Sequence, residues 1–454
     1  MTKDLTTGNP MKLILAFALP TLCGMLFQQF YNLVDTMIVG KLLGAQALAA
    51  VGSTGSINFF VIGFCMGVCN GFAIPVAQRM GAKEYSQMRR FVVNAAYLSA
   101  LFALVLTVAT GLFCRNILVV MRTPADIIDN AYAYIFVIFM GIPATFLYNL
   151  LAAVIRSLGD SKTPVYFLAL SSFLNIFLDF TLILYFKAGV AGAALATVIS
   201  QAISAAWVLK FLTGRRALLT LKLSCLPLQA RRVKRIVALG LSGFFMNMTN
   251  SLVQIVCNAT LQSYGGDLYV GVMTIINSLR EVFFMPVHGL SNGAQPVMGF
   301  NYGAGLYSRV RKSIRFSCGL TVAYAAAFWA AAMLLPELMI RVFNSEPEVI
   351  AAGVPALRVY FALFIPMSLQ SAGQSVFVAL GRSKQAVFFS LLRKAIINAP
   401  LTVILPIWMD TMGVFYAEAA SQLIGGLACF ATMYFTLYRP LGRIKDGEAL
   451  PEHL

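Results

Sequence analysis

Twelve long apolar stretches, separated by short segments that hold nearly all of the charge, dominate this sequence. They run approximately 11–39, 48–78, 91–113, 127–157, 164–186, 189–213, 233–262, 268–300, 313–335, 350–379, 385–407 and 412–438. A helix needs about 20 predominantly apolar residues to cross a bilayer. The chain therefore reads as an all-α polytopic membrane protein with twelve spans, several long enough to require tilt or bends. Composition agrees, with 59% of residues hydrophobic and only 11% charged, against about 25% charged in soluble domains. A net charge of +17 would suggest nucleic acid in a soluble protein. Here the bases sit in clusters between apolar runs, so membrane topology accounts for them and no nucleic-acid partner is expected. The polar start and the long run from Leu13 do not resemble a signal peptide.

Lys and Arg fall unevenly between the two sets of loops. The N-terminus, the loops after even-numbered spans and the tail hold 27, and the loops after odd-numbered spans hold five: Lys41, Arg115, Arg122, Lys187 and Arg341. This bias predicts that both termini are cytoplasmic. The segment Gly214–Arg235, which carries Cys225, divides six spans from six on that same side. The expected organisation is a six-helix lobe at 1–213, a cytoplasmic loop at 214–232, a second six-helix lobe at 233–438 and a cytoplasmic tail at 439–454.

A shift of 222 residues brings the halves into register. Gly67, Gly71, Gly81 and Ala82 meet Gly289, Gly293, Gly303 and Ala304; Tyr85-Ser86 meets Tyr307-Ser308, and Arg89 meets Arg311. Gly44 meets Gly266, Leu158-Gly159 meets Leu380-Gly381, and Ser161-Lys162 meets Ser383-Lys384. Six spans per copy make the copies parallel and pseudo-symmetric, an organisation typical of transporters. An enzyme would show clustered acids or histidines. Of the two histidines, His453 lies in the tail and His288 alone in the eighth span, where packing is its expected role. No GxxxxGK[ST] phosphate loop is present, so an ion gradient is the expected energy source and no cofactor is expected. Cys23, Cys65, Cys69, Cys114, Cys225, Cys257, Cys318 and Cys429 lie mostly inside apolar runs and read as small buried hydrophobes.

Ionisable groups inside a span cost roughly 2.5–3.5 kcal/mol at the bilayer centre, so each invites a functional reading. Gln28, Asn32 and Asp35 follow one another at steps of four and three on one side of the first span. Asn175 and Asp179 stand one turn apart in the fifth, and Thr197 and Gln201 in the sixth. Counted from the outer ends of their spans, Asp35, Asp179 and Thr197 lie at depths of roughly 6, 10 and 12 Å. An oxygen-lined pocket for Na⁺ or a proton is expected from Asp35, Asn175, Asp179 and Thr197. Under the shift, Asp35 falls on Cys257 and Asp179 on Leu401, so the acids belong to one copy and the repeat scaffold does not require them.

The second half has its own polar faces: Asn247, Asn250, Gln254 and Asn258 in the seventh span, Thr274, Asn277 and Glu281 in the eighth, Glu418 and Gln422 in the twelfth. Glu281 follows Arg280, so a local charge pair competes with a cation-attracting role. Twenty methionines and thirty-five phenylalanines suit a cavity that accepts varied organic ligands.

The stretch Ile155-Arg156-Ser157-Leu158-Gly159-Asp160-Ser161-Lys162-Thr163-Pro164 resembles the loop after the fourth span of multidrug and toxic compound extrusion (MATE) transporters. Ala379-Leu380-Gly381-Arg382-Ser383-Lys384, Pro20, Tyr31-Asn32-Leu33-Val34-Asp35, Pro286 and Pro296 fit the same pattern. With Asp35 and Asp179 both present, the chain is most similar to the prokaryotic DinF-type branch. The resemblance covers about residues 10 to 438. It implies two six-helix lobes around a central cleft and cation-coupled export of amphiphilic or cationic organic compounds from a prokaryotic cytoplasmic membrane, by a monomer. It also implies that Asp35, Asn175, Asp179 and Thr197 match the family's cation network, that Gln28 matches a neighbouring cavity position, and that Asn149 is a weaker candidate. Gln28, Asn32, Asn149, Gln201, Asn250, Gln254 and Glu281 are the candidate substrate contacts. A lipid-linked oligosaccharide flippase of the related superfamily is the alternative, and it would predict a cationic cavity, whereas the candidates here are acids and amides. A membrane-embedded enzyme is a more distant alternative.

Overall fold

The computed structural model describes residues 4–121, 123–213 and 229–448, and all regular structure among them is helical. The first half consists of α1 (Pro10–Leu43), α2 (Ala45–Ser53), α3 (Gly55–Gly81), α4 (Tyr85–Val120), α5 (Ile128–Met140), α6 (Ile142–Ser157), α7 (Thr163–Phe180) and α8 (Gly189–Thr213). The second consists of α9 (Ala230–Gly303), α10 (Tyr307–Leu334), α11 (Pro336–Arg341), α12 (Pro347–Phe361), α13 (Phe364–Ala379), α14 (Ser383–Leu391), α15 (Ala399–Ile404), α16 (Pro406–Met409) and α17 (Met412–Met433). Among the described residues, nine helices are long and apolar enough to span a membrane. Two further spans are bent pairs, α5–α6 at 47° and α12–α13 at 46°. The α9 trace holds two spans joined at Gly266, whose φ of 61° is open to glycine. The twelve expected spans are all present. Outward positions such as Leu112, Val120 and Tyr185 are 75%, 81% and 82% exposed, as lipid contact requires.

The chain divides into two compact units, one built mainly from Cys23–Phe244, the other from Leu5–Leu22 and Phe245–Leu454. The repeated glycines explain how each is assembled. In the first unit a Cβ on Gly67 would lie 2.9 Å from the Gly243 carbonyl carbon, and one on Gly71 only 2.3 Å from the Leu239 oxygen. In the second, a Cβ on Gly293 would lie 2.5 Å from the Ala18 nitrogen. All three contacts are backbone against backbone, the close approach that small residues permit between membrane helices. The cores are aromatic, with Phe72, Phe139 and Phe146 in the first unit and Phe361, Phe364 and Phe415 in the second. The loop expected at 214–232 lies, through residue 228, outside the described residues, as do Cys225 and His453.

The turns repeat as well. Gly44 and Gly266 both have positive φ, as do Gly159 and Gly381. Lys83 and Gly305 match in the same way although their side chains differ. Asp160 satisfies the first turn of α7: its Oδ1 accepts from the amides of Lys162 and Thr163 at 3.0 Å each, and its Oδ2 accepts from the Thr163 hydroxyl at 2.6 Å. That Asx-type arrangement is the local reason for the Leu-Gly-Asp-Ser-Lys-Thr-Pro sequence.

A candidate cation site and its counterpart

Four helices of the first unit converge on a cluster of oxygen atoms. Asp179 and Asn175 on α7 are fully buried, Asp35 on α1 and Thr197 on α8 half-buried. The Asp35 and Asp179 carboxyl groups face each other within interaction range. Asn175 Nδ2 donates to Thr197 Oγ1 at 3.1 Å, and the Tyr31 and Thr197 hydroxyls meet at 3.4 Å. Thr197 is also tied to the Ala193 carbonyl of its own helix, at 3.2 Å. Tyr134 on α5, which is 6% exposed, lies within electrostatic range of both carboxyls. Immediately beyond Asp179 the helix widens into a π turn, Thr181–Tyr185.

Asp35 Oδ1, Asn175 Oδ1 and both Asp179 carboxylate oxygens are buried without a hydrogen-bond donor. Unsatisfied acceptors are rare in protein interiors and call for a proton, water or ion. Four of them in one cluster, all oxygen, suit a proton or a hard monovalent cation. Among the described residues no three His, Cys, Asp or Glu side chains converge on a metal position. The donor set therefore lacks the carboxylate count of a high-charge divalent site.

Two other first-half candidates bond to Thr145. Gln201 Oε1 accepts from the Thr145 hydroxyl at 2.7 Å, and Asn149 Nδ2 donates to the Thr145 carbonyl at 2.8 Å. Gln28 is half-buried and Asn32 exposed on α1. Tyr31 and Tyr134 were absent from the expected set. Tyr31 had a visible signal, one helical turn before Asp35, whereas nothing local marks Tyr134.

In the second unit a chamber of about 40 Å³ is lined by Arg280, Tyr360, Arg393, Lys394, Asn398 and Glu418, together with Asn250, Gln254, Cys257 and Asn277. Asn398 Nδ2 donates to Glu418 Oε2, Gln422 Nε2 to Glu418 Oε1 at 3.3 Å, and the Thr402 hydroxyl to Asn398 Oδ1 at 2.9 Å. Arg280 donates to the Tyr360 hydroxyl at 3.2 Å and to Glu281 at 2.8 Å. Glu281 thus forms the local pair, with its side chain 66% exposed. His288 packs its ring against Phe284 at 5.1 Å.

Two sequence expectations need correction here. Arg393 and Lys394 entered the tally of 27 loop bases, yet both lie within the eleventh span, on the π segment Leu392–Asn398. Their position inside the run 385–407 was the signal. The contrast drawn with a flippase, that the cavity candidates are acids and amides, holds for the first unit and fails for the second. The π segment also takes up one extra residue. Beyond it the repeat offset becomes 223, placing Asn398 at the position of Asn175 and Thr402, rather than Leu401, at that of Asp179. Positive φ at both Lys187 and Asp410 follows the same offset. The counterparts of the two acids then meet as the acids do, with Cys257 Sγ 3.8 Å from Thr402 Oγ1.

The MatE family model matches the chain twice, at residues 20–181 and 243–404. The chain is 27% identical over 461 residues, 99% of each protein, to "Probable multidrug resistance protein YpnP" of Bacillus subtilis. It is 22% identical, over 93% of each, to "Multidrug export protein MepA" of Staphylococcus aureus. A solved MATE structure in the bent conformation superposes with a TM-score of 0.91 at 21% identity, covering 98% of this chain and 99% of that one. A MOP superfamily transporter from Pyrococcus furiosus, described as having a binding pocket of reverse polarity, superposes with a TM-score of 0.89 at 22% identity, covering 98% and 100%. Two family matches, one in each half of an all-helical, twelve-span chain, identify it as a member of the MatE family of multidrug transporters.

Proposed function

We propose that this protein is a secondary antiporter that exports amphiphilic, often cationic, organic compounds in exchange for Na⁺ or H⁺ by alternating access. The observation that carries the reading is the facing pair Asp35–Asp179 with its undonated oxygens. Two carboxylates in one pocket repel, so the pair responds to a neutralising cation or proton. Coupling requires that the ion bind the inward- and outward-open states with different affinity. Asn175 and Thr197 orient the pair, and Tyr31 adds a hydroxyl at its edge. Gln28, Asn32, Asn149, Gln201, Asn250, Gln254 and Glu281 are proposed substrate contacts.

The Lys/Arg distribution supports cytoplasmic termini even without Arg393 and Lys394. We take the protein to act as a monomer in a prokaryotic cytoplasmic membrane, with lobes at 1–213 and 233–438 joined by the 214–232 loop and followed by the 439–454 tail. The bases of the second chamber favour the flippase as the competing reading. Proteoliposomes decide between them: efflux of a fluorescent organic cation, driven separately by a Na⁺ and by a pH gradient, supports the antiporter and identifies its ion. Lack of efflux under both gradients, with translocation of a lipid-linked oligosaccharide, favours the flippase.

A further inference from the structure

The second unit's chamber holds three bases, Arg280, Arg393 and Lys394, and one acid, Glu418. Counting Glu281, which neutralises part of Arg280 from the rim, three cations face two carboxylates. Glu418 does not pair with the bases: its two oxygens are taken by the Asn398 and Gln422 amides. Arg393 is 6% exposed, and its Nε has no hydrogen-bond partner. Neither Arg393 nor Lys394 forms an ion pair among the described residues. Buried charges are ordinarily paired, and with all three bases protonated the chamber carries one positive charge in excess of balance. The corresponding first-half positions, Asn58 and residues 170–172, carry no charge, so the bases are not a scaffold requirement.

We propose that this chamber binds one monovalent anionic group, a carboxylate. A guanidinium and an ammonium converging on about 40 Å³ offer the charge-assisted donors a carboxylate needs. The space admits such a group and not a whole drug-sized molecule, which would keep its apolar body outside. The chamber thereby gives a zwitterionic substrate a place for its carboxylate. This rests on the export reading above. The same chemistry would hold a free small carboxylate beside a cationic substrate.

Rhodamine B, which bears a free carboxylate, and its ethyl ester, which does not, separate these cases by fluorescence polarisation with the purified full-length protein. The unaltered protein should prefer the acid. Arg393→Gln and Lys394→Gln should each reduce the acid-to-ester affinity ratio about tenfold, as loss of a charged hydrogen bond predicts, and Arg393→Lys should retain most of it. Sodium acetate, compared with sodium sulfate at equal ionic strength, should weaken binding of the acid alone if the substrate's carboxylate enters the chamber. Acetate that instead strengthens binding of the ester identifies a free anion as occupant. Unchanged ratios in both Gln variants, with no acetate effect on either dye, overturn the proposal. If Arg393→Gln does not elute as a single species, Lys394→Gln and the acetate comparison on unaltered protein decide. Binding is measured without a gradient, so a protein that prefers the acid yet exports neither dye refutes the antiporter and keeps the anion site.

Discussion

The two units share a backbone plan and differ in the sign of their interior charge. The first buries two facing carboxylates with unsatisfied oxygens; the second gathers two arginines and a lysine around a carboxylate that amides already occupy. Asp35 and Asp179 are replaced by Cys257 and Thr402, which still meet. The glycines that let helices touch are the same in both copies. Duplication thus preserved what packing requires and released what chemistry requires, because a glycine at a backbone contact has no substitute whereas an interior polar side chain is free to change once its function does.

The largest expected effect comes from removing the negative charge of the first unit. Asp179→Asn keeps shape and should lower gradient-driven efflux in proteoliposomes by about twentyfold or more, within the usual span of coupling free energies. Asp35→Asn should match it, and the double variant should be little worse than either, since both break one unit. Near-normal efflux by a well-expressed Asp179→Asn protein would move the coupling role to the second unit and erase the contrast.

The shared scaffold makes the opposite forecast, equal damage in both copies. Gly71→Ala and Gly293→Ala should each destabilise by about 1–3 kcal/mol, because the added carbon meets backbone that cannot yield. Gly319→Ala, with nothing within 4 Å of the added carbon, is the control. Thermal unfolding of the detergent-purified variants measures this, and a tolerant Gly293→Ala would show that the copies do not use their glycines alike.

A smaller effect is expected at Glu281. Its exposed pair with Arg280 is worth about 0–1 kcal/mol, so Glu281→Gln should raise the KM for cationic substrates up to about fivefold while sparing zwitterions. Equal loss for all substrates in a folded protein would instead assign Glu281 to ion coupling.

The smallest concerns the tail, which is tied to the second copy. Burial opposes ionisation of Asp446, but the Ser308 hydroxyl and amide outweigh it by donating at 2.5 and 2.8 Å, so its carboxyl titrates below the usual range. A depressed value means the contact stabilises above the ordinary aspartate pKa of about 3.9 and is lost as pH falls through the folded value. At neutral pH, Asp446→Asn should speed tryptic cleavage at Arg443 and Lys445 by about twofold. Cleavage that does not change with the substitution would mean that the tail's backbone contacts alone, such as Gly447 N to Gly305 O at 3.0 Å, hold it in place.

Hydropathy, base distribution and the internal repeat were enough to determine twelve spans in two copies, because the cost of exposing backbone or charge to hydrocarbon is paid locally and leaves its mark in consecutive residues. The same economy made Asp35, Asn175, Asp179 and Thr197 legible as interior polar groups. Only the folded chain decided which of them share a pocket, that Tyr134 joins them, and that Asn149 and Gln201 gather at Thr145 instead. It also moved Arg393 and Lys394 from loop to interior. A π turn of one extra residue turns every later side chain by about 100° relative to the repeat, and no composition records that rotation. Which charges end up facing one another depends on contacts between helices far apart in sequence, and these are fixed by packing.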